Sequence, residues 1–183
     1  MSRPRDERAS VAIMEAARRQ LVALGYANLS MDSVAAEAGV ARATVYRRYR
    51  DKADLVTAAI ATNGGGDLPE EPSDDPRADL VRFLSEFDDR FAEHCLEVLG
   101  ALLGTREDAH ALALHRQRVI EPRLGYARSL LVRAQQLGRL DPAADVDVML
   151  QMLAGAVFTR RVAGVPREDG WVERAVEQLW PNG

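Results

Sequence analysis

Apolar residues recur along this chain at helical spacing almost from end to end. Met31, Val34, Ala35 and Ala38 fall at i, i+3, i+4 and i+7, which is one face of a 3.6-residue period. After a turn of about three residues, a second short helix is expected from Ala41 to Tyr49, with Val45 and Tyr49 turned inward. Further on, Leu80, Phe83, Leu84, Phe87 and Phe91 repeat in the same way, and Cys95, Val98, Leu99, Leu102 and Leu103 continue the pattern. Leu124 to Leu137 form another long amphipathic segment. Val146, Met149, Leu150, Leu153, Ala156 and Val157 give a broad apolar face, and a last helix offers Trp171, Val172, Ala175, Val176, Leu179 and Trp180. No alternating strand pattern competes, so the expected fold is all-α.

Punctuation sharpens these limits. Ser30 suits an N-cap and Asp32 adds negative charge to the first turn that follows, while Gly39 stands where a left-handed C-terminal residue is needed. Pro122 suits a first turn, and Gly138 marks the end of the same helix. Residues 63–76, with three consecutive glycines, three prolines and five acids, cannot propagate a helix. They divide the chain into an N-terminal domain, 1–62, a linker, 63–76, and a helical domain, 77–183. A phosphate-binding loop is the competing reading of the glycines, but no lysine follows them and no strand precedes them.

The outward face of residues 41–49 carries the most specific chemistry. It offers Arg42, Thr44, Arg47 and Arg48, with Tyr46 beside them. A guanidinium forks to guanine edges or to phosphates, and hydroxyls donate to phosphate oxygens. Alanines at 41 and 43 keep the leading end slim enough for a major groove. An arginine-rich face is often only solvated surface. A random one would not also bring the serine cap, the glycine stop, the short turn and the helix start Asp51-Lys52-Ala53-Asp54 in order. Arg47 and Arg50 fit contact or solvent equally, and Tyr49 fits the core better.

The net charge of −4 argues against a nonspecific nucleic-acid binder, yet the imbalance is regional. Residues 1–60 hold ten basic against seven acidic side chains, and the remainder holds fourteen against twenty-one. Arg3, Arg5 and Arg8 suit either a phosphate-gripping arm or a plain disordered terminus. No long apolar run or N-terminal apolar stretch suggests a membrane span or a signal peptide; a cytoplasmic protein of 183 residues is expected. A lone Cys95 and the scattered His94, His110 and His115 give no metal-ligand spacing, so no metal or cofactor is expected. No nucleophile elbow, nucleotide loop or zinc-protease motif supports an enzyme. Adjacent acids such as Asp74-Asp75 and Asp88-Asp89 read as solvated surface.

The run from Ser30 through Arg42-Ala43-Thr44-Val45-Tyr46-Arg47-Arg48-Tyr49 to Val56 closely resembles the DNA-binding signature of TetR-family transcriptional regulators, over roughly residues 8–60. A weaker likeness to the family's regulatory half runs from Arg133 to Asp145. The resemblance implies helix 1 near Arg8–Leu24, helix 2 near Met31–Ala38, recognition helix 3 near Ala41–Tyr49 and helix 4 from Lys52, within a chain of about nine helices. It places Arg42 and Ala43 at bases and Thr44, Tyr46, Arg48 and Lys52 at phosphates, with Arg47 and Met31 completing the DNA-facing set. Two positions depart from the family pattern: Ala41 replaces a polar residue, and Asp32 stands where some members are basic. Asp32 would repel a phosphate unless it points away or caps helix 2.

The resemblance further implies a homodimer on a double-stranded palindromic operator, formed through Met149, Leu153, Val157, Trp171, Val172, Ala175, Val176, Leu179 and Trp180. Ordinary packing within one chain is the alternative for each of these. A small-molecule effector would lie among Phe83, Phe87, Phe91, Cys95, Leu99, Tyr126, Leu130 and Met152, and the protein would act as a ligand-released repressor without a cofactor. Two rival functions are a helical adaptor that uses the helix-turn-helix for protein contacts, and an all-α enzyme.

Overall fold

The computed structural model describes residues 3–62, 68–90, 100 and 109–180. Among them every regular element is helical, and no helix is long and apolar enough to cross a membrane. The chain divides into two compact units.

The first unit contains residues 1–65 and 94–120. Helix α1, Arg3–Asn28, begins upstream of the expected Arg8 and breaks just past the expected Leu24, because Gly25 takes a left-handed φ of 74°. Its inward residues Ile13, Ala16, Ala17 and Leu21 are buried. Helices α2, Met31–Glu37, and α3, Arg42–Arg48, follow, then α4, Lys52–Thr62. Ser30 caps α2 by accepting from the Ser33 N–H, and the Ser33 hydroxyl closes a reciprocal capping box on the Ser30 N–H. The turn between α2 and α3 depends on Gly39 at φ 65°. Gly39 N–H donates to the Ala36 carbonyl at 3.2 Å and Val40 N–H to the Ala35 carbonyl at 3.0 Å, the paired bonds of a Schellman stop. A side chain at Gly39 would meet open space, so the requirement is conformational.

Two further described pieces belong to this unit: α6, Ala109–His115, and a π-helical segment, Arg116–Ile120. Ala111 and Leu114 join the core formed by α1 to α4, and Arg118 pairs with the Asp54 carboxylate of α4. The compact units thus do not follow the chain order of the expected domains. The described stretch 109–120 packs on α4 and groups with the first unit.

The second unit holds residues 66–93 and 121–183. Its described helices are α5, Pro76–Arg90; α7, Glu121–Gln136; α8, Val146–Val162; and α9, Trp171–Glu177. The acidic end of the expected linker acts as a cap: the Asp75 carboxylate accepts from the Ala78 N–H, and Asp79 accepts from the Ser73 N–H at 2.7 Å. The glycines at 64–66 lie outside the described residues. Helix α5 packs on α7, α8 and α9, with Leu80, Leu84, Leu130, Leu131, Leu153 and Val176 buried.

Asp88 corrects the solvated reading of the acid pairs. Asp89 is exposed, but Asp88 is buried, accepting from both Nε and Nη2 of Arg161 and from Trp171 Nε1 at 3.1 Å. One carboxylate thus ties α5 to α8 and α9, a buried charge made tolerable by its donors.

Candidate nucleic-acid interface

Helix α3 has two opposed faces. Val45 is wholly buried and Tyr49, its C-cap, is nearly so; burial pushes the Tyr49 phenol above its ordinary pKa. On the other face Arg42, Ala43, Tyr46 and Arg47 are exposed and Thr44 is half-buried. Tyr46 is 53% exposed, large for an aromatic ring in a folded unit. The structure therefore brings five of the expected DNA-facing residues onto one open surface beside the helix-turn-helix bend.

Three others are placed elsewhere. Met31 is buried in the core of the first unit, because it heads the inward stripe of α2. Arg48 is turned back onto α1, where its guanidinium pairs with the Asp6 carboxylate and reaches Ser10 Oγ at 3.3 Å. Its side chain is only 16% exposed. Lys52 Nζ donates to the Tyr26 carbonyl at 3.0 Å and the Ala27 carbonyl at 3.3 Å, and lies 4.4 Å from the centre of the Tyr26 ring. A cation there serves carbonyls left open where α1 ends at Asn28. Arg48 and Lys52 thus brace α1 against α3 and α4 in this structure, where the family resemblance implied phosphate ligands.

Carboxylates around the reading helix are likewise paired. Glu37 accepts from Arg19 Nε and Gln20 Nε2, each at 2.7 Å, and these bonds, led by that from Arg19, hold its carboxyl below the ordinary range. Burial would raise the Asp54 carboxyl, but the Arg50 N–H and the Arg118 guanidinium together bring it below the ordinary value. Asp32 neither caps α2 nor points away. It grips Arg42, whose Nε donates to Asp32 Oδ1 at 2.6 Å while Nη2 meets Oδ2. This pairing across ten residues escaped the sequence reading; its only signal is an acid in the first turn of α2 and an arginine opening α3.

In the second unit, Phe83 and Tyr126 of the expected effector pocket meet as a tilted ring pair with centroids 5.8 Å apart. Leu130 is fully buried and Phe87 half-buried. Burial raises the Tyr126 phenol above its usual pKa. Met152 does not line this region: it is 58% exposed on the outer face of α8. Phe91, Cys95, Leu99 and His94 lie outside the described residues. His115 is buried, and His110 Nε2 stands 3.7 Å from Asp51.

The expected dimer residues are also redistributed. Met149, Leu153, Val157, Trp171, Val172 and Val176 are buried inside the chain's own second unit, while Ala175, Leu179 and Trp180 are half-buried. Apolar periodicity locates a covered face without saying which chain covers it. The open apolar stripe of α8 is instead Val148, Met152 and Val162, with Gly155 between them.

Comparison with known proteins agrees with this architecture. Residues 13–59 match the bacterial regulatory proteins of the tetR family, and residues 70–179 match the tetracyclin repressor-like C-terminal domain. The chain is 29% identical to the DNA-binding transcriptional repressor TetR of Mycobacteroides abscessus, over 96% of this chain and 93% of that protein. It is 27% identical to the HTH-type transcriptional regulator YdeS of Bacillus subtilis, over 95% of this chain and 89% of that one. Among solved structures it is similar to MexZ of Pseudomonas aeruginosa, described as a key repressor responsible for antibiotic resistance, with a TM-score of 0.69, 25% identity and coverage of 93% and 90%. The chain belongs to the TetR family and is an all-α, DNA-binding transcriptional regulator rather than an enzyme.

Proposed function

We propose that this regulator is a dimeric repressor that sets α3 of each protomer into the major groove of a palindromic operator and leaves it when a small molecule binds the helical domain. Arg42 and Ala43 approach base edges, and Thr44, Tyr46 and Arg47 fix the register on phosphates. The observation that carries the DNA-reading assignment is the two-faced helix α3, with Val45 buried beneath an open Arg42, Ala43, Tyr46 and Arg47 surface. Small and cationic side chains at a leading helix end suit groove entry.

The effector is placed among Phe83, Phe87, Tyr126 and Leu130, where aromatic and aliphatic walls meet a few polar groups. A ligand there releases DNA only by favouring one conformation over another. The dimer is formed by the open stripe of α8.

Selection of duplexes from a random pool by the full chain tests the reading. It is expected to return a palindrome with half-sites separated by about one helical turn or a multiple of it. Arg42→Ala should erase preference at one position per half-site, worth about 1–3 kcal/mol, while other positions hold. Recovery of no motif at low salt would sink the DNA-reading function.

A further inference from the structure

We infer that Asp32 is a specificity-determining positioning residue, which holds the Arg42 guanidinium side-on so that its end-on edge reads guanine and cannot serve as a generic phosphate grip. The inference rests on the proposed DNA-reading role of α3.

The geometry supplies each step. A guanidinium has five N–H donors in a planar fork. Asp32 occupies the side defined by Nε and Nη2, which leaves the edge shared by Nη1 and Nη2 with two parallel donors. That edge matches the paired acceptors O6 and N7 of guanine in the major groove. The pair is built where such reading happens: Arg42 opens α3 and its side chain is 69% exposed, while the Asp32 side chain is 38% exposed. Asp32 sits in the first turn of α2, where the aligned peptide dipoles favour a carboxylate. The capping box of Ser30 and Ser33 fixes that turn, so the carboxylate is a rigid post for a flexible arginine.

Charge adds a second consequence. An unpaired arginine on a DNA-facing helix adds a phosphate contact, which raises affinity for every sequence and steepens salt dependence. Paired to Asp32, Arg42 carries no net charge into the encounter, and the carboxylate repels any phosphate that approaches the same spot. The arginine is thereby withdrawn from indiscriminate grip and kept for base recognition. The same pairing explains why an acid is tolerated at a position facing a polyanion.

The test uses the full-length protein as wild type, Asp32→Asn, Arg42→Ala and the double variant. Each is scored by selection from a random duplex pool and by binding of a fluorescent duplex across a salt series. Wild type should prefer guanine at one position per half-site, and Arg42→Ala should lose that preference. Asp32→Asn should keep the rest of the motif, weaken the guanine preference about tenfold, and steepen the log–log salt slope by about one unit per protomer. The double variant should match Arg42→Ala, since the post has nothing left to hold, and Asp32→Glu should recover part of the preference.

An Asp32→Asn motif and salt slope identical to wild type would overturn the proposal alone. So would an even loss across all motif positions, which is the signature of a weakened α2 rather than a mispositioned arginine. A wild-type chain that selects no motif overturns the DNA-reading function, and this proposal with it.

Discussion

Lys52 shows how one side chain in the reading unit is committed to the fold. Its ammonium serves two carbonyls of the last turn of α1 and sits over the Tyr26 ring, so its removal strips a charge-assisted cap as well as a cation–π contact. Lys52→Ala is expected to cost about 1–2 kcal/mol of stability, read as a lower urea midpoint with an unchanged slope. Arg47→Ala should leave the midpoint in place, because Arg47 is exposed on α3, and weaken all duplexes alike. Equal midpoints for Lys52→Ala and wild type would return Lys52 to the DNA surface alone. At this scale the sequence was legible only in part. Residue type placed Arg42, Tyr46 and Lys52 in the right elements, but long side chains choose partners by reach. Arg48 finds Asp6 on α1, 42 positions away in the chain, and no local pattern encodes that distance.

Among elements, the start of α4 links the reading unit to the segment that packs on it. The Asp51 carboxylate accepts from the Asp54 N–H at 2.8 Å, and Asp54 accepts in turn from the Arg50 N–H at 2.9 Å and from Arg118. The folded pKa of Asp54 is depressed, so its ionised form stabilises the fold at pH values above about 3.9, the unfolded value. That contribution fades as pH falls through the lower folded value. Asp54→Asn keeps an acceptor but loses the charge, and is expected to cost about 1–2 kcal/mol near neutral pH. The gap from wild type should close in acid below the folded pKa, which urea melts at several pH values would show; a gap constant with pH would refute the linkage. The local half of this node was legible, since Asp51-Lys52-Ala53-Asp54 reads as a helix start. Arg118 was not, because it arrives on a π-helical turn 64 positions later. Helix limits fared best where capping chemistry is local, as at Ser30, Gly39 and Gly138, and worst at α1, where nothing marks the upstream start.

For the whole molecule, apolar periodicity made the all-helical class legible, yet it does not distinguish a face covered within one protomer from a face open to a second chain. Residues 149, 153 and 157 make the more regular stripe and are buried within one protomer, whereas the opposite stripe is interrupted by Gln151 and Gly155 and reads as surface. Val148 and Met152 at 47% and 58% exposure and Val162 at 62% nevertheless leave a long apolar band uncovered on α8. Its small central Gly155 allows close approach of a second helix, and a two-fold axis would pair the band with itself. A charged side chain at its middle would be buried twice in such a dimer, once for each protomer. Met152→Arg is therefore expected to shift sedimentation at micromolar concentration toward the 20.1 kDa single chain, whereas the proposed wild-type dimer should sediment at twice that mass. The folded protomer should survive, because Met152 projects from the core rather than into it, and an unchanged Trp171 emission would verify this. Operator binding should then weaken by the loss of one half-site's contribution while the half-site motif stays the same. A Met152→Arg protein that still sediments as wild type would exclude the α8 stripe as the dimer seam.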